Sequence, residues 1–399
     1  MKIALVSPYD FSYLGGVVNH ITNLHHCLVQ MGHEVKVIAP TSKTVNSVGN
    51  DFVQIGRPFP LPASDSVIRV PLSLNLGRTI KEVMAREKFD IIHLHEPFVP
   101  MLCSAVLRFS DTVNVGTFHA ADAKPGYRFG WPVSRIMLKK RRDKLNGRIA
   151  VSKVAYEYAR KYVPGDYTII PNGTNLSQFR PDVKPLEKYR DGKLNILFVS
   201  RLEPRKGVDY LLPAFREVKQ QISDSRLLIV GAGTRLRKGY EDWVKRAGLE
   251  KDVIFVGFAS DADLPRYFRT ADVFCVPATG RESQGIILIE AMASGIPIVT
   301  TNICGYATVV THGEEGLLVP PRDIRSLSRA LITLLNDESL RRRLGEKGLI
   351  RARDFSWIEI SKRVVAYYEE TLKKCGKVPS SPPKEPTAEK VLSRQARIA

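Results

Sequence analysis

Long apolar runs are missing from this chain of 399 residues. No segment reaches the roughly 20 consecutive apolar residues that a bilayer-spanning helix needs, so no such helix is expected. Cysteine is sparse. Cys27, Cys103, Cys275, Cys304 and Cys375 are scattered with no close pair, which argues against a disulfide framework or a cysteine-ligated zinc site and fits reduced, mostly buried thiols. A complete GxGxxG is absent as well. Gly15-Gly16 and Gly231-Ala232-Gly233 both fall short of it, which speaks against a dinucleotide oxidoreductase. The run Met1-Lys2-Ile3-Ala4-Leu5-Val6-Ser7-Pro8 is too short for a signal-peptide core and shows no cleavage pattern, so a cytoplasmic protein is expected.

Acidic residues are the minority charge. Lys and Arg number 60 against 41 Asp and Glu, a net charge of +19 that calls for an anionic partner: nucleic acid, acidic lipid or a phosphorylated substrate. The apolar share of 44% and charged share of 25% describe a globular protein, and the length suggests two domains.

Apolar runs recur in a strand–helix rhythm. Lys2–Ser7, Glu34–Ala39, Asp90–Leu94, Val113–Phe118, Arg148–Val151 and Tyr167–Ile170 read as strands, with a helix over Val17–Met31. The rhythm loosens over Asn175–Lys193, which reads as a linker. It restarts with strands at Leu194–Val199, Arg226–Val230, Val253–Val256, Val273–Val276 and Ile298–Thr300. The fold class is therefore α/β, with two Rossmann-like doubly wound domains whose strand ends would line a cleft. Asp354–Cys375 reads as a last amphipathic helix, and the Pro-, Ser- and Lys-rich end as disordered.

Several segments carry candidate chemistry. Glu282 and Glu290 stand eight residues apart, around the small-residue turn of Gly280-Arg281-Glu282-Ser283-Gln284-Gly285. A helix starting at Ser283 would expose the N–H groups of Gly285, Ile286 and Ile287, a seat for a diphosphate with a hydroxyl acceptor on either side. Glutamates near a helix start also occur simply because they suit its dipole. Arg201 and Lys206, in Ser200-Arg201-Leu202-Glu203-Pro204-Arg205-Lys206-Gly207, can reach a diphosphate, or form a solvated basic turn. Gly15-Gly16 permits close backbone approach, or is a plain strand–helix turn. His119 ends a strand and can hydrogen-bond a sugar hydroxyl, or serve packing alone. His93 and His95 share a strand face, but no cysteine or further histidine lies near in sequence, so no metal site is expected. The basic run Arg135–Arg148, with Lys139, Lys140, Arg141 and Arg142 consecutive, suits anionic lipid headgroups or a solvated helix face. Nucleic acid is disfavoured because no stacking aromatics interleave it. Ser73–Met84, with Asn75, Arg78 and Lys81, is a second membrane-side candidate or an ordinary helix start.

Taken together, Gly15-Gly16, Thr117-Phe118-His119, Pro171-Asn172-Gly173, Ser200-Arg201 with Lys206-Gly207, Gly231-Ala232-Gly233 and the Glu282…Glu290 motif resemble the retaining GT-B glycosyltransferases of family 4. Within that family, His95-Glu96-Pro97, Gly116-Thr117-Phe118-His119 and Glu203-Pro204-Arg205-Lys206-Gly207 are most similar to phosphatidylinositol mannosyltransferases. The resemblance implies an acceptor-binding domain over 1–180, a nucleotide-sugar domain over 181–355, a helix over 356–375 returning to the first domain and a disordered tail over 376–399. It implies a nucleotide-sugar donor, with GDP-mannose favoured and a UDP-sugar with a soluble or polysaccharide acceptor as the alternative. Arg201 and Lys206 would hold the diphosphate, Glu290 the ribose and Glu282 the sugar hydroxyls. His119 would stand beside the sugar ring, and Gly15, Gly16, Gly231, Gly257, Gly285, Ile286 and Ile287 would complete the donor pocket. Tyr9, Asn75, Arg78, Lys81 and Lys139 to Arg142 are the acceptor- or membrane-side candidates. No essential divalent metal or other cofactor is expected, and a peripheral location on the inner face of the cell membrane is. One departure stands out: the family's usual Phe before the motif glycine is Gln284 here, which bears on the donor sugar.

Overall fold

The computed structural model describes residues 1–13, 15–63, 66–71, 76–99, 101–120, 139–233 and 235–380, with backbone alone over 60–63 and 66–71. Asn75, Arg135 to Leu138 and the tail from 381 lie outside the described residues. The chain divides into two compact units, Met1–Asn172 with Trp357–Ala399, and Gly173–Ser356.

In the first unit the strands are β1 (Lys2–Val6), β2 (Glu34–Ala39), β3 (Phe52–Gln54), β4 (Pro58–Ala63), β5 (Ser66–Pro71), β6 (Ile91–His95), β7 (Val113–Phe118), β8 (Gly147–Ala150) and β9 (Thr168–Ile169). β4 and β5 form a separate antiparallel pair. The others make one parallel sheet in the order β3-β2-β1-β6-β7-β8-β9. β6 and β7 are buried at every position, as strands covered on both faces must be. α1 (Gly16–Gln30), α2 (Leu76–Glu87), α3 (Leu102–Phe109) and α4 (Lys153–Ala159) supply crossovers.

The second unit repeats the plan. β10 (Leu194–Val199), β11 (Ser225–Val230), β12 (Val253–Gly257), β13 (Val273–Val276), β14 (Ile298–Thr301) and β15 (Gly316–Val319) form a parallel sheet in the order β12-β11-β10-β13-β14-β15. Its helices are α5 (Val208–Gln221), α6 (Arg237–Arg246), α7 (Leu264–Thr270), α8 (Ile286–Ala293), α9 (Ile324–Asn336) and α10 (Glu338–Ala352). The strand order turns outward in opposite directions at β1/β6 and at β10/β13. Loops leaving these strands diverge there and open a crevice at their carboxyl ends.

α11 (Trp357–Lys374) returns to the first unit. Its face of Trp357, Ile360, Val364, Tyr368 and Leu372 follows helical spacing and joins the core of α1 and β1. Tyr368 Oη lies 2.6 Å from His93 Nδ1, and the Arg148 N–H donates to Tyr367 Oη at 2.8 Å. Beyond it, the Ser380 N–H donates to Asp90 Oδ1 at 2.9 Å.

The stretch Asn175–Lys193, read as a linker, is part of the second unit. Phe179, Leu186 and Tyr189 are buried in its core, and the Thr174 N–H donates to Phe355 O at 2.7 Å. These anchors arrive through irregular turns and a single 3-10 turn, so they leave no period in the sequence.

Candidate functional site

The second unit brings one chain of charged residues together at the β10/β13 switch. After β10, Pro204–Lys206 forms one 3-10 turn closed by Gly207 in the left-handed region. A Cβ on Gly207 would lie 1.9 Å from Pro277 O, so only glycine lets the two switch loops close on each other. The Thr279 N–H donates to Arg205 O at 2.8 Å across the same gap. The Gly231 N–H donates to Gly257 O at 2.7 Å, which ties the ends of β11 and β12 beside it.

Five ions form a chain on this scaffold. Arg201 Nη2 and Arg205 Nε pair with the two oxygens of Glu203, each at 2.9 Å. Arg205 Nη1 also pairs closely with Glu282 Oε1, which Lys206 Nζ meets at 2.7 Å. Three cations against two carboxylates leave one positive charge, and an anion entering here competes with Glu282 for Arg205 and Lys206. Arg205 was not among the sequence-derived site residues. Its adjacency to Lys206 was the available signal, and its link to Glu282 across 77 positions was not.

The helix after Glu282 begins later than the sequence suggested. Ser283 and Gln284 are in bends, and Gly285, left-handed at φ 79°, caps α8, whose first residue is Ile286. The Tyr306 ring fills the place a Cβ on Gly285 would take, at 2.6 Å, so Gly285 breaks the chain direction before the helix can start. The N–H groups of Gly285, Ile286 and Ile287 still fall at the helix start, where intrahelical acceptors are lacking. Glu290 lies two helical turns from Glu282 in sequence but inside α8. Burial, and then the nearby Asp261 carboxylate, push its carboxyl up to about 8, so it carries a proton at neutral pH. Gln284 is 3% exposed, so the departure from the family's Phe is a buried amide.

In the first unit, the loop after β1 is pinned by Asp10, which accepts from Ser12 and Ser42. Tyr9 is half-buried in it. Gly15 is extended and caps α1, and nothing lies within 4 Å of a Cβ on Gly15 or Gly16, so the backbone there is open to a ligand. His119, at the end of β7, joins a cluster that the sequence scattered. His95 Nδ1 lies 3.1 Å from His119 Nε2, the His93 and His95 ring centroids are 4.3 Å apart, and His20 of α1 stands edge-on to both His95 and His119. His20 Nδ1 lies 2.8 Å from Asn172 Oδ1. Burial holds His20 down to about 4 and His93 to about 3. It holds His95 and His119 well below the ordinary 6.5, with neighbouring imidazoles adding to the effect. All four rings are neutral at pH 7, suited to hydroxyl groups rather than to an anion. Buried Glu96 takes the N–H groups of His119 and Ala120 on one oxygen, at 2.7 and 2.8 Å, which fixes the strand end that carries His119.

His20, His95 and His119 bring ring nitrogens within 4.8 Å of one another, the one group among the described residues that could hold a metal ion. Nitrogens sharing a tetrahedral zinc at about 2.0–2.1 Å stand roughly 3.3 Å apart, so the rings would have to close further. An Asp-x-Asp to hold a nucleotide-bound metal was not expected from the sequence; the spacing does occur at Asp261-Ala262-Asp263, where Asp263 is engaged by the Ser260 hydroxyl at 2.8 Å and by Arg266 at 3.5 Å.

Several basic residues of the first unit lie around α3. Arg78 and Lys81 are exposed on α2, and the Lys81 ammonium stands 4.9 Å from the Phe109 ring centroid. Among helical residues 139–142, Lys139 and Lys140 are exposed, while Arg141 and Arg142 are half-buried. Arg141 donates to Ser104 Oγ at 2.9 Å, and Lys144 to Arg108 O at 2.9 Å. No helix among the described residues is long and apolar enough to cross a membrane.

Compared with known proteins, residues 14–178 match the model of Glycosyltransferase Family 4, and residues 180–351 that of Glycosyl transferases group 1. A phosphatidyl-myo-inositol mannosyltransferase of Mycobacterium leprae is 35% identical over 372 residues, covering 92% of this chain and 96% of the relative. Its counterpart in Mycolicibacterium smegmatis is 34% identical, over 92% and 94%. A glycosyltransferase structure from Rickettsia africae superposes with a TM-score of 0.74 over 93% of this chain and 98% of that one, at 19% identity, which bears on the fold alone.

Proposed function

From a chain that belongs to the group 1, family 4 glycosyltransferases and is closely related to phosphatidyl-myo-inositol mannosyltransferases, we propose transfer of mannose from GDP-mannose to a phosphatidylinositol-type lipid at an anionic membrane surface. The enzyme is a retaining GT-B glycosyltransferase with two Rossmann-like parallel-sheet units. What carries the proposal is the ion chain at the β10/β13 switch, set beside the N-terminus of α8. Relatives matched over nearly their full length supply the sugar and the acceptor.

In this reading Arg201, Lys206 and the first turn of α8 stabilise the departing diphosphate, the charge that grows most during transfer. Glu282 holds sugar hydroxyls, and Glu290, protonated, offers the ribose both a donor and an acceptor. Gly231 and Gly257 enter on the resemblance, on the donor side of the second unit, and Gly16 offers open backbone on the first. His119 enters on the resemblance, as a neutral hydrogen-bonding ring beside the sugar. The acceptor hydroxyl attacks from the leaving-group side, and a phosphate oxygen of the donor takes its proton, which gives retention without a protein nucleophile. No divalent metal is needed in this scheme. The basic residues of α2 and of 139–142 face the anionic lipid.

Buried Gln284, in place of the family's Phe, favours one second reading: a donor sugar other than mannose. The test is a screen of GDP- and UDP-sugars against phosphatidylinositol vesicles and against soluble inositol phosphate, with and without EDTA. Transfer from GDP-mannose to the vesicles, unaffected by EDTA, is expected. Transfer from UDP-sugars alone, or only to the soluble acceptor, overturns the proposal, and loss of activity in EDTA overturns metal independence.

A further inference from the structure

Tyr306 sits beneath the turn that carries Glu282. It is among the largest fully buried side chains, at 0% exposure, yet its hydroxyl has no hydrogen-bond partner among the described residues. Its position is fixed from several directions. Its N–H donates to Ile303 O at 3.0 Å, and its carbonyl accepts from Val309 and Val310 at 2.9 Å each. Its ring lies against Gly285, and a Cβ on the preceding Gly305 would stand 2.0 Å from Glu282 O. The segment 305–306 is thus packed directly on the backbone from Glu282 to Gly285. The Glu282 carboxylate is within electrostatic reach of the phenol: after burial, it is the next cause that pushes the hydroxyl up, and Arg205 opposes it.

A buried O–H with no acceptor is unfavourable, and phenylalanine would fill the same space with no polar atom left over. The hydroxyl therefore serves something other than the packing around it. Glu282 is held here by Arg205 and Lys206, the cations that an incoming diphosphate would also engage. A carboxylate that surrenders those partners needs a new donor, and Tyr306 is the idle one at hand. We propose that the Tyr306 hydroxyl is a positioning group for Glu282, donating to its carboxylate when the diphosphate of the sugar donor takes up Arg205 and Lys206. This rests on the reading above that Glu282 acts on the sugar. It adds a residue that the sequence motif does not contain.

The test compares full-length Tyr306→Phe and Glu282→Gln with the unchanged protein, by thermal unfolding and by steady-state kinetics with GDP-mannose, or with the nucleotide sugar that the donor screen returns. Tyr306→Phe should keep or raise Tm while kcat falls by about tenfold with little change in donor KM, the size expected for a lost hydrogen bond to a charged group. A purely structural tyrosine would show the opposite pairing, a lower Tm with kcat preserved. Unchanged kinetics in Tyr306→Phe, or a fall in its Tm, overturns the inference even if Glu282→Gln is inactive. An active Glu282→Gln overturns the reading on which it rests.

Discussion

The two units share a topology and differ in the electrostatics of their switch points. At β1/β6 the first unit gathers four neutral imidazoles, three of them buried and His119 half-buried, and its carboxylates Glu96 and Asp10 are spent on local hydrogen bonds, Glu96 to the N–H groups of His119 and Ala120 and Asp10 to Ser12 and Ser42. At β10/β13 the second unit holds five ions in one chain with a surplus of positive charge. A parallel sheet delivers loops to the same place in both cases. The few residues on those loops decide whether the place suits a hydroxyl or an anion. The second unit is thus the one fitted to a diphosphate, and the first to uncharged polar groups.

The most severe way to break that contrast is to disarm the ion chain. Glu282→Gln and Lys206→Ala should each lower kcat/KM by roughly a hundredfold or more, the scale seen when a group that stabilises developing charge is removed. Neither residue packs the core, so circular dichroism and Tm should stay near those of the unchanged protein. Transfer at full rate in either variant would show that the ions are merely structural.

Acid should separate the units next. A histidine whose folded pKa lies below its ordinary 6.5 takes up protons more readily in the unfolded chain. Its stabilising contribution is whole above pH 6.5 and is lost as pH falls through about 4 for His20 and about 3 for His93. Hydrogen exchange should therefore show β6 and β7 losing protection as pH drops from 6.5 toward 4, while β10 and β13 keep theirs. Equal loss in both sheets would remove the claim that the first unit is the pH-sensitive one.

Much of this was legible in the sequence because parallel strands are buried on both faces and read as unbroken apolar runs. Lys2–Ser7, Val113–Phe118 and Leu194–Val199 announced β1, β7 and β10 in that way. The order of the strands, and so the switch points, left no local trace. The two-residue spacing of His93 and His95 was visible, but His20 and His119 reach them only through the pairing of β1, β6 and β7. The start of α8 was missed because a left-handed Gly285 looks in sequence like any glycine near a helix N-terminus, and the aromatic ring that requires it comes from Tyr306, 21 positions on.

The contrast extends to the outer surface of the first unit, where charge returns. Lys139→Ala with Lys140→Ala should weaken binding to phosphatidylinositol-containing vesicles by about 1 kcal/mol per residue at low salt, and the difference should fade as salt rises. Sedimentation of vesicles across a salt series measures it. An unchanged slope would remove these two residues from the lipid-facing surface.

The smallest expected effect belongs to Glu290, a group of the second unit that follows the buried, neutral logic of the first. Its folded pKa of about 8 lies above its ordinary 4.5, so the folded protein binds the proton more tightly than the unfolded chain. Its contribution is whole at pH 4.5 and below and is lost as pH rises through about 8, the reverse of the histidines. Tm should therefore drift down by a few degrees between about pH 5 and 8. Glu290→Gln, which cannot ionise, should drift less while remaining folded. A Tm profile identical in both proteins would mean that Glu290 is already ionised at neutral pH. It could then serve a ribose only as an acceptor.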